Sequence, residues 1–204
     1  MIVCAPLRIE RAAIARGLPR GSARIVRLGM GPAKTRARAA TIGEDGLVVV
    51  LGVAGGLAPS VRPTDIVVAA EVMVHDGQPI RCHGADSLAE AMRRTGLRVH
   101  VGRIVSTPHI VTGEEFDKLA SSSGALAVDM ESGYLAEALS RGRPITVVRA
   151  VSDTKDEPLF SPAILRRGAS ALSALRRASA VIPPWAAEHV TMTTTPSQDN
   201  EGMS

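Results

Sequence analysis

Aromatic side chains are nearly absent: the 204 residues include two Phe, one Tyr and one Trp. A core must then come from Val, Leu, Ile and Ala, and the 45% hydrophobic content is enough for one domain of this length. The same scarcity argues against nucleic-acid modules that stack bases on rings. Cysteine is as rare. Cys4 and Cys82 share no motif spacing, so neither a zinc site nor a disulfide framework is expected, and a reducing cytoplasm fits. The longest apolar run, GLVVVLGVAGGLAPSV at 46–61, is shorter than the roughly 20 residues of a spanning helix and reads as a buried strand and its loop. The start, MIVCAPLRIER, lacks the apolar region and cleavage site of a signal peptide and is expected to stay in the mature protein. Neither sign of charge dominates. The 24 Lys and Arg against 20 Asp and Glu give +4, scattered through helical segments as a solvated surface, with weak attraction to anions or acidic lipids as the lesser reading.

Short runs rich in β-branched residues recur at Ile2 to Ala5, Arg24 to Leu28, Leu47 to Leu51, Asp65 to Val72, Val99 to Ser106, Leu126 to Val128 and Ile145 to Val151. Between them, Ala, Arg, Leu and Glu predict helices near 8–17, 32–42, 86–95, 113–121, 131–140 and 162–182. This alternation argues for layers of helix around a mostly parallel sheet, where ligands sit at the carboxyl ends of strands. After residue 182 threonine, serine, proline and charge replace the apolar period, so the domain is expected over 1–182 with a flexible tail over 183–204.

Two glycine stretches and three acids stand at predicted strand ends. GMGPAKT at 29–35 fails as a P-loop because Ala33 precedes Lys34, and as a dinucleotide fingerprint because Lys34 stands where a third Gly belongs; it reads as a strand-to-helix turn. LGVAGGLAP at 51–59 is either a tight packing corner or a place where backbone approaches a ligand. In AVDMESGYLAEAL, Asp129 and Glu131 can be helix N-terminal acids, and Asp153 in Ser152-Asp153-Thr154 can be a cap. Together, these elements can also line one crevice. His75, His83 and His109 show no metal-ligand spacing, so no metal or other cofactor is expected. Arg149, inside a strand, is expected to pair with a neighbouring acid.

AVDMESGYLAEAL followed by TVVRAVSDT, with GVAGGLAPSVRPTDIVVA upstream, resembles the nucleoside phosphorylase and nucleosidase superfamily over residues 2–182. Within it, GVAGGL, STPHIVTGEE and the short chain look most like the hopanoid-associated phosphorylases. The resemblance implies a three-layer α/β/α fold with a central mixed, mostly parallel β-sheet, and a homo-oligomer, most simply a homodimer. It implies that Asp153 protonates the purine N7, that Glu131 holds ribose hydroxyls with Met130 on the sugar face, and that Glu10 activates water. Asp129 and Ser152 flank those positions. Val53, Ala54 and Gly55 match the loop that approaches the nucleoside, and Ile110 and Val111 the segment against adenine. Three departures stand out: Val53 replaces a serine common in relatives, Ile110 an aromatic residue, and Val50 an arginine of the hexameric phosphorylases. Phosphate as co-substrate would need other cations, such as Arg8, Lys34 or Arg36. Glu10 can instead be a surface residue of the first helix.

The expected activity is release of adenine from a nucleoside, with adenosylhopane, a lipid-linked substrate, as the main candidate. The alternatives are a methylthioadenosine or S-adenosylhomocysteine nucleosidase, another purine nucleoside phosphorylase, or an inactive nucleoside-binding protein. The expected partners are a small adenine nucleoside and a weak, salt-sensitive contact with acidic membrane, but no nucleic acid.

Overall fold

The structure is a computed structural model and describes residues 1–139, 142–154 and 164–189. Strands β1 (Ile2–Ala5), β2 (Arg24–Arg27), β3 (Val48–Gly56), β4 (Ile66–Val74), β5 (Ile80–Arg81), β6 (Val99–Ser106), β7 (Ala127–Asp129) and β8 (Ile145–Thr154) form one mixed sheet. Helices α1 (Arg8–Gly17), α2 (Pro32–Ala39), α3 (Ala85–Arg94), α4 (Gly113–Ser123), α5 (Ser132–Ala138) and α6 (Ile164–His189) cover it. The strands β3, β8, β4, β6 and β7 pair in a closed circuit, parallel except where β3 meets β7 and β4 meets β8. β1 and β2 extend the sheet from β3 in parallel.

The strands at the centre are buried on both faces, which is why they read as unbroken Val, Ile and Leu runs. One core joins Val49, Leu51, Val68 and Val148 to α1, α3 and α6; a second places Val48, Val50, Val67 and Val147 under α2 and α5. A smaller one, with Phe116 and Leu119, lies under α4. The layered α/β class expected from the sequence is the class observed, with a sheet that closes on itself.

Two local expectations are corrected and one strand was not foreseen. The glycine stretch after Leu51 is strand, not loop: Gly55 and Gly56 pair with β8 on one side and with β7 on the other. Glycine usually weakens a strand, but here its missing side chain leaves room for groups from the neighbouring strands. The short β5 against β4 had no recognisable signal in its two residues. The expected boundary at 182 falls inside α6, which continues through Pro183 and Pro184 to His189. Trp185 then fills the core against Gly84, at φ +65°, where a Cβ would lie 2.3 Å from the indole, and its Nε1 donates to Ser87 Oγ at 2.9 Å. Residues 190–204 lie outside the described ones. Among the described residues no helix is long and apolar enough to cross a membrane.

Candidate active site

A cavity of about 240 Å³ opens where β3, β7 and β8 end. Glu10, Val53, Ala54, Gly55, Ile110, Val111, Asp129, Met130, Glu131, Ser152 and Asp153 all line it, so the structure brings together the acids and nucleoside-contacting residues expected from the sequence. Their convergence has a topological cause. β7 and β8 both neighbour β3, so Asp129 and Asp153, one at each strand end, flank the same glycine-bearing strand. α1 then delivers Glu10 from the turn after β1.

The acids are held differently. Glu10 is 1% exposed, which rules out the surface reading. Its Oε2 accepts from Leu7 N at 2.6 Å, closing the first turn of α1, and its Oε1 accepts from Val53 N at 2.8 Å. Glu131 Oε1 accepts from Gly31 N at 3.1 Å. Asp129 accepts from Ser106 and Ser132 hydroxyls and from the Glu131 and Ser132 amides, each at 3.2 Å, so it closes the start of α5 as a cap does. Ser152 rests its hydroxyl on Asp153.

One fully buried cation serves this cluster. Arg149 Nη2 lies 2.6 Å from Asp129 Oδ2, 3.6 Å from Glu131 Oε2 and 3.0 Å from Ser132 Oγ. Its Nε and Nη1 find no hydrogen-bond partner among the described residues. The guanidinium fits because position 52 is glycine: a Cβ there would lie 2.0 Å from Arg149 Nη1 and 2.9 Å from Glu10 Oε1. One arginine against three buried carboxylates leaves excess negative charge. Burial, reinforced by Asp129 and Glu10 against the pull of Arg149 and the Gly31 amide, pushes Glu131 up to about 7. Burial likewise raises Glu10, opposed by Arg149 and two amides, and raises Asp153, opposed by the Ser152 hydroxyl. The site thus favours the protonated form of a carboxyl more than water does.

Sequence reasoning missed several walls. Pro6, Leu7, Met30, Thr107, Phe116 and Val128 also line the cavity, and His109, readable from the sequence as a loop histidine or a substrate contact, lines it too. Phe116 supplies a ring although Ile110 does not, and its rarity in this chain was the available signal. The phosphate candidates are elsewhere. Arg36 pairs with Glu137 at 3.2 Å and covers the Tyr134 ring at 4.8 Å, while Arg8 and Lys34 line a neighbouring cleft of about 680 Å³. Among the described residues no Lys or Arg lines the site cavity.

A profile of the phosphorylase superfamily matches residues 12–182. A 5′-methylthioadenosine/S-adenosylhomocysteine nucleosidase of Geobacillus kaustophilus is 30% identical over 133 residues, covering 54% of this chain and 56% of that protein. The chain therefore spans about half the length of this relative. Solved structures share the fold: a putative 5′-methylthioadenosine/S-adenosylhomocysteine nucleosidase from Francisella philomiragia superposes with TM-score 0.74 at 16% identity, over 91% of this chain and 97% of the other. A futalosine hydrolase of Helicobacter pylori gives 0.68 at 19%, over 93% and 96%.

Proposed function

As the chain belongs to the phosphorylase superfamily, we propose that it hydrolyses the N-glycosidic bond of an adenine nucleoside, with Asp153, Glu131 and Glu10 as its working acids. The observation that carries this reading is the meeting of those three carboxyls around one cavity. The name of the Geobacillus relative supports adenine as the leaving base. In the reaction, a water oxygen attacks C1′ as the bond to N9 breaks; Glu10 takes the water proton, and the bond electrons pass into the purine, where Asp153 protonates N7. A raised Asp153 keeps its proton closer to neutrality, which suits a donor. Glu131 holds the ribose hydroxyls, and its charge favours the positive sugar of the transition state. Water is preferred over phosphate because no lysine or arginine among the described residues lines the cavity.

The finer reading is a nucleoside with a bulky apolar 5′ group, adenosylhopane, acted on in the cytoplasm by a homodimer with weak contact to acidic membrane. At about 240 Å³ the cavity is just below the roughly 300–1,000 Å³ of small-ligand sites, so a large 5′ group would lie outside it. Pro6, Leu7 and Met30 line both this cavity and the larger cleft, and the 5′ group would leave over them. The deciding assay is adenine release from adenosylhopane and from methylthioadenosine, each with and without phosphate. Phosphate-independent release from the hopanoid alone is expected. Release from methylthioadenosine would move the substrate to the small thioether nucleosides; a phosphate requirement would overturn the hydrolysis; and no release from either would leave a nucleoside-binding protein.

A further inference from the structure

Two residues other than glycine take a positive φ among the described ones, Asp76 at +63° and Thr64 at +77°. Aspartate tolerates that region, whereas a β-branched side chain there is an outlier. The local sequence explains the angle. Arg62-Pro63-Thr64-Asp65, between β3 and β4, closes with Asp65 N donating to Arg62 O at 3.0 Å, and a positive φ at the third residue marks a type II turn. Proline suits the second position of such a turn, but the third calls for glycine, and this chain has threonine. A strained turn persists only where its surroundings over-determine it.

Asp65 supplies that hold. It is buried, and its Oδ2 accepts from Arg62 N at 3.1 Å, which ties the turn a second time. His100 Nε2 at 2.8 Å and Arg98 Nε at 3.3 Å meet the same oxygen from β6 and the residue before it. The turn in its place holds β8. Thr64 N donates to Val151 O at 2.8 Å and Val151 N donates to Asp65 O at 2.9 Å, so both backbone groups of Val151 end on the turn. Asp153 follows two residues later.

Between Val151 and Asp153, β8 carries one residue more than β3. Ala54 pairs with Val151 and Gly55 with Asp153, which leaves Ser152 as a bulge. The bulge decides where Asp153 points. On β8, Val147 and Val151 enter the core under α2 and α5, while Val148 and Ala150 enter the core under α1, α3 and α6. Strict alternation would send Asp153 after Val151, into the first of these. The extra residue instead sets it beside Gly55, where a Cβ would lie 3.6 Å from Asp153 Oδ2, at the wall of the cavity. A slip of one residue would turn the acid away, and Val151 is the anchored residue that opposes the slip.

We propose that Asp65 is a positioning residue for Asp153: by holding the strained turn against Val151 it fixes the register of the Ser152 bulge, and so the direction of the acid. This rests on the reading of Asp153 as the group that protonates the departing purine.

The experiment separates the acid from the rest of the site by the leaving group. Whichever of adenosylhopane and methylthioadenosine the wild type cleaves is compared with the riboside of the same 5′ group that carries 4-nitrophenolate in place of adenine. Nitrophenolate departs as an anion and needs no proton. Asp153→Asn should slow adenine release about 10²–10⁴-fold and leave nitrophenolate release nearly unchanged. Asp65→Ala should show the same split at smaller size, a loss of about 10–100-fold in kcat on the adenine substrate with KM near wild type. Thr64→Gly added to Asp65→Ala should recover most of that loss, because glycine accepts the positive φ without help from the carboxylate. If Asp65→Ala does not fold, Asp65→Asn, which keeps the shape and gives up the charge facing His100 and Arg98, carries the same comparison. An Asp65 variant that slows both substrates alike, or neither, overturns the proposal, and so does a loss that Thr64→Gly leaves unrepaired. The reading beneath it fails separately: Asp153→Asn then spares adenine release or slows both reactions equally, and a wild type that cleaves neither nucleoside removes reaction and proposal together.

Discussion

Two hollows share the wall made by Pro6, Leu7 and Met30, and they differ in almost everything else. One is small and lined by carboxyls with Arg149 buried behind them; the other is nearly three times larger, and its charged groups are exposed cations with no acid among them. The turn after β1 separates the two. Its backbone feeds Glu10 inward, while Arg8 and Arg11 on the same helix face out. The difference shows how one amphipathic turn can sort charge by depth. Acids are fixed by amides and hydroxyls where water is scarce, and cations stay hydrated where water is plentiful.

The comparison breaks most sharply at the acid end. Asp153→Asn keeps the shape and removes the proton, so adenine release should fall about 10²–10⁴-fold while nucleoside binding, followed by calorimetry, stays near wild type. A variant that turns over normally would strip Asp153 of its role. Arg149 comes next. Replacing it with Met leaves Asp129 and Glu131 buried without a counter-charge, and urea unfolding should show a loss of about 3–5 kcal/mol. Adding Asp129→Asn to that variant should recover part of the loss, because the amide no longer needs the cation. If the double variant is no more stable than Arg149→Met, the pair is not coupled in the way the distances imply.

How much of this was legible beforehand differs between the two hollows. Strand ends marked by Asp129 and Asp153 are readable because buried parallel strands have a distinct apolar run and acids interrupt it sharply. Nothing local in the chain says that Arg149, four residues before Asp153 on the same strand, reaches Asp129 on β7; only the shared neighbour β3 brings them together. Glycine misled for the opposite reason. Gly52, Gly55 and Gly56 suggest a loop by propensity, yet they are strand because two partners already pair with it and buried side chains need the space. The cation-lined cleft escaped because Arg8, Arg27 and Arg38 come from three elements that each look like an ordinary solvated surface.

Gly52 offers the next test of how tightly the buried side is built. Gly52→Ala puts a methyl against Arg149 Nη1 and Glu10 Oε1, so either the strand or the guanidinium must move. A loss of about 1–3 kcal/mol in stability is expected, with adenine release falling alongside it as Glu10 shifts from Val53 N. The same change at Gly21, where open space surrounds the added carbon although φ is +76°, controls for backbone strain alone and should leave turnover intact.

A gradual effect is the pH dependence, and its sign follows from Glu131. Burial holds this carboxyl near 7 in the fold, against about 4.5 for an unburied glutamate. A raised folded-state value means that the native protein binds the proton more tightly than the unfolded chain. The resulting stabilisation is complete below about 4.5 and is lost as pH climbs through about 7. Between those limits wild type should lose on the order of 2–3 kcal/mol more than Glu131→Gln, which carries no titrating proton at that position. Turnover runs the other way: the ribose hydroxyls need the ionised Glu131, so kcat/KM should rise as pH climbs toward about 7. A Glu131→Gln protein whose stability tracks wild type across the window would show that Arg149 neutralises the cluster more fully than its excess of acids suggests. The acid-lined hollow would then be no more strained than the cation-lined one beside it.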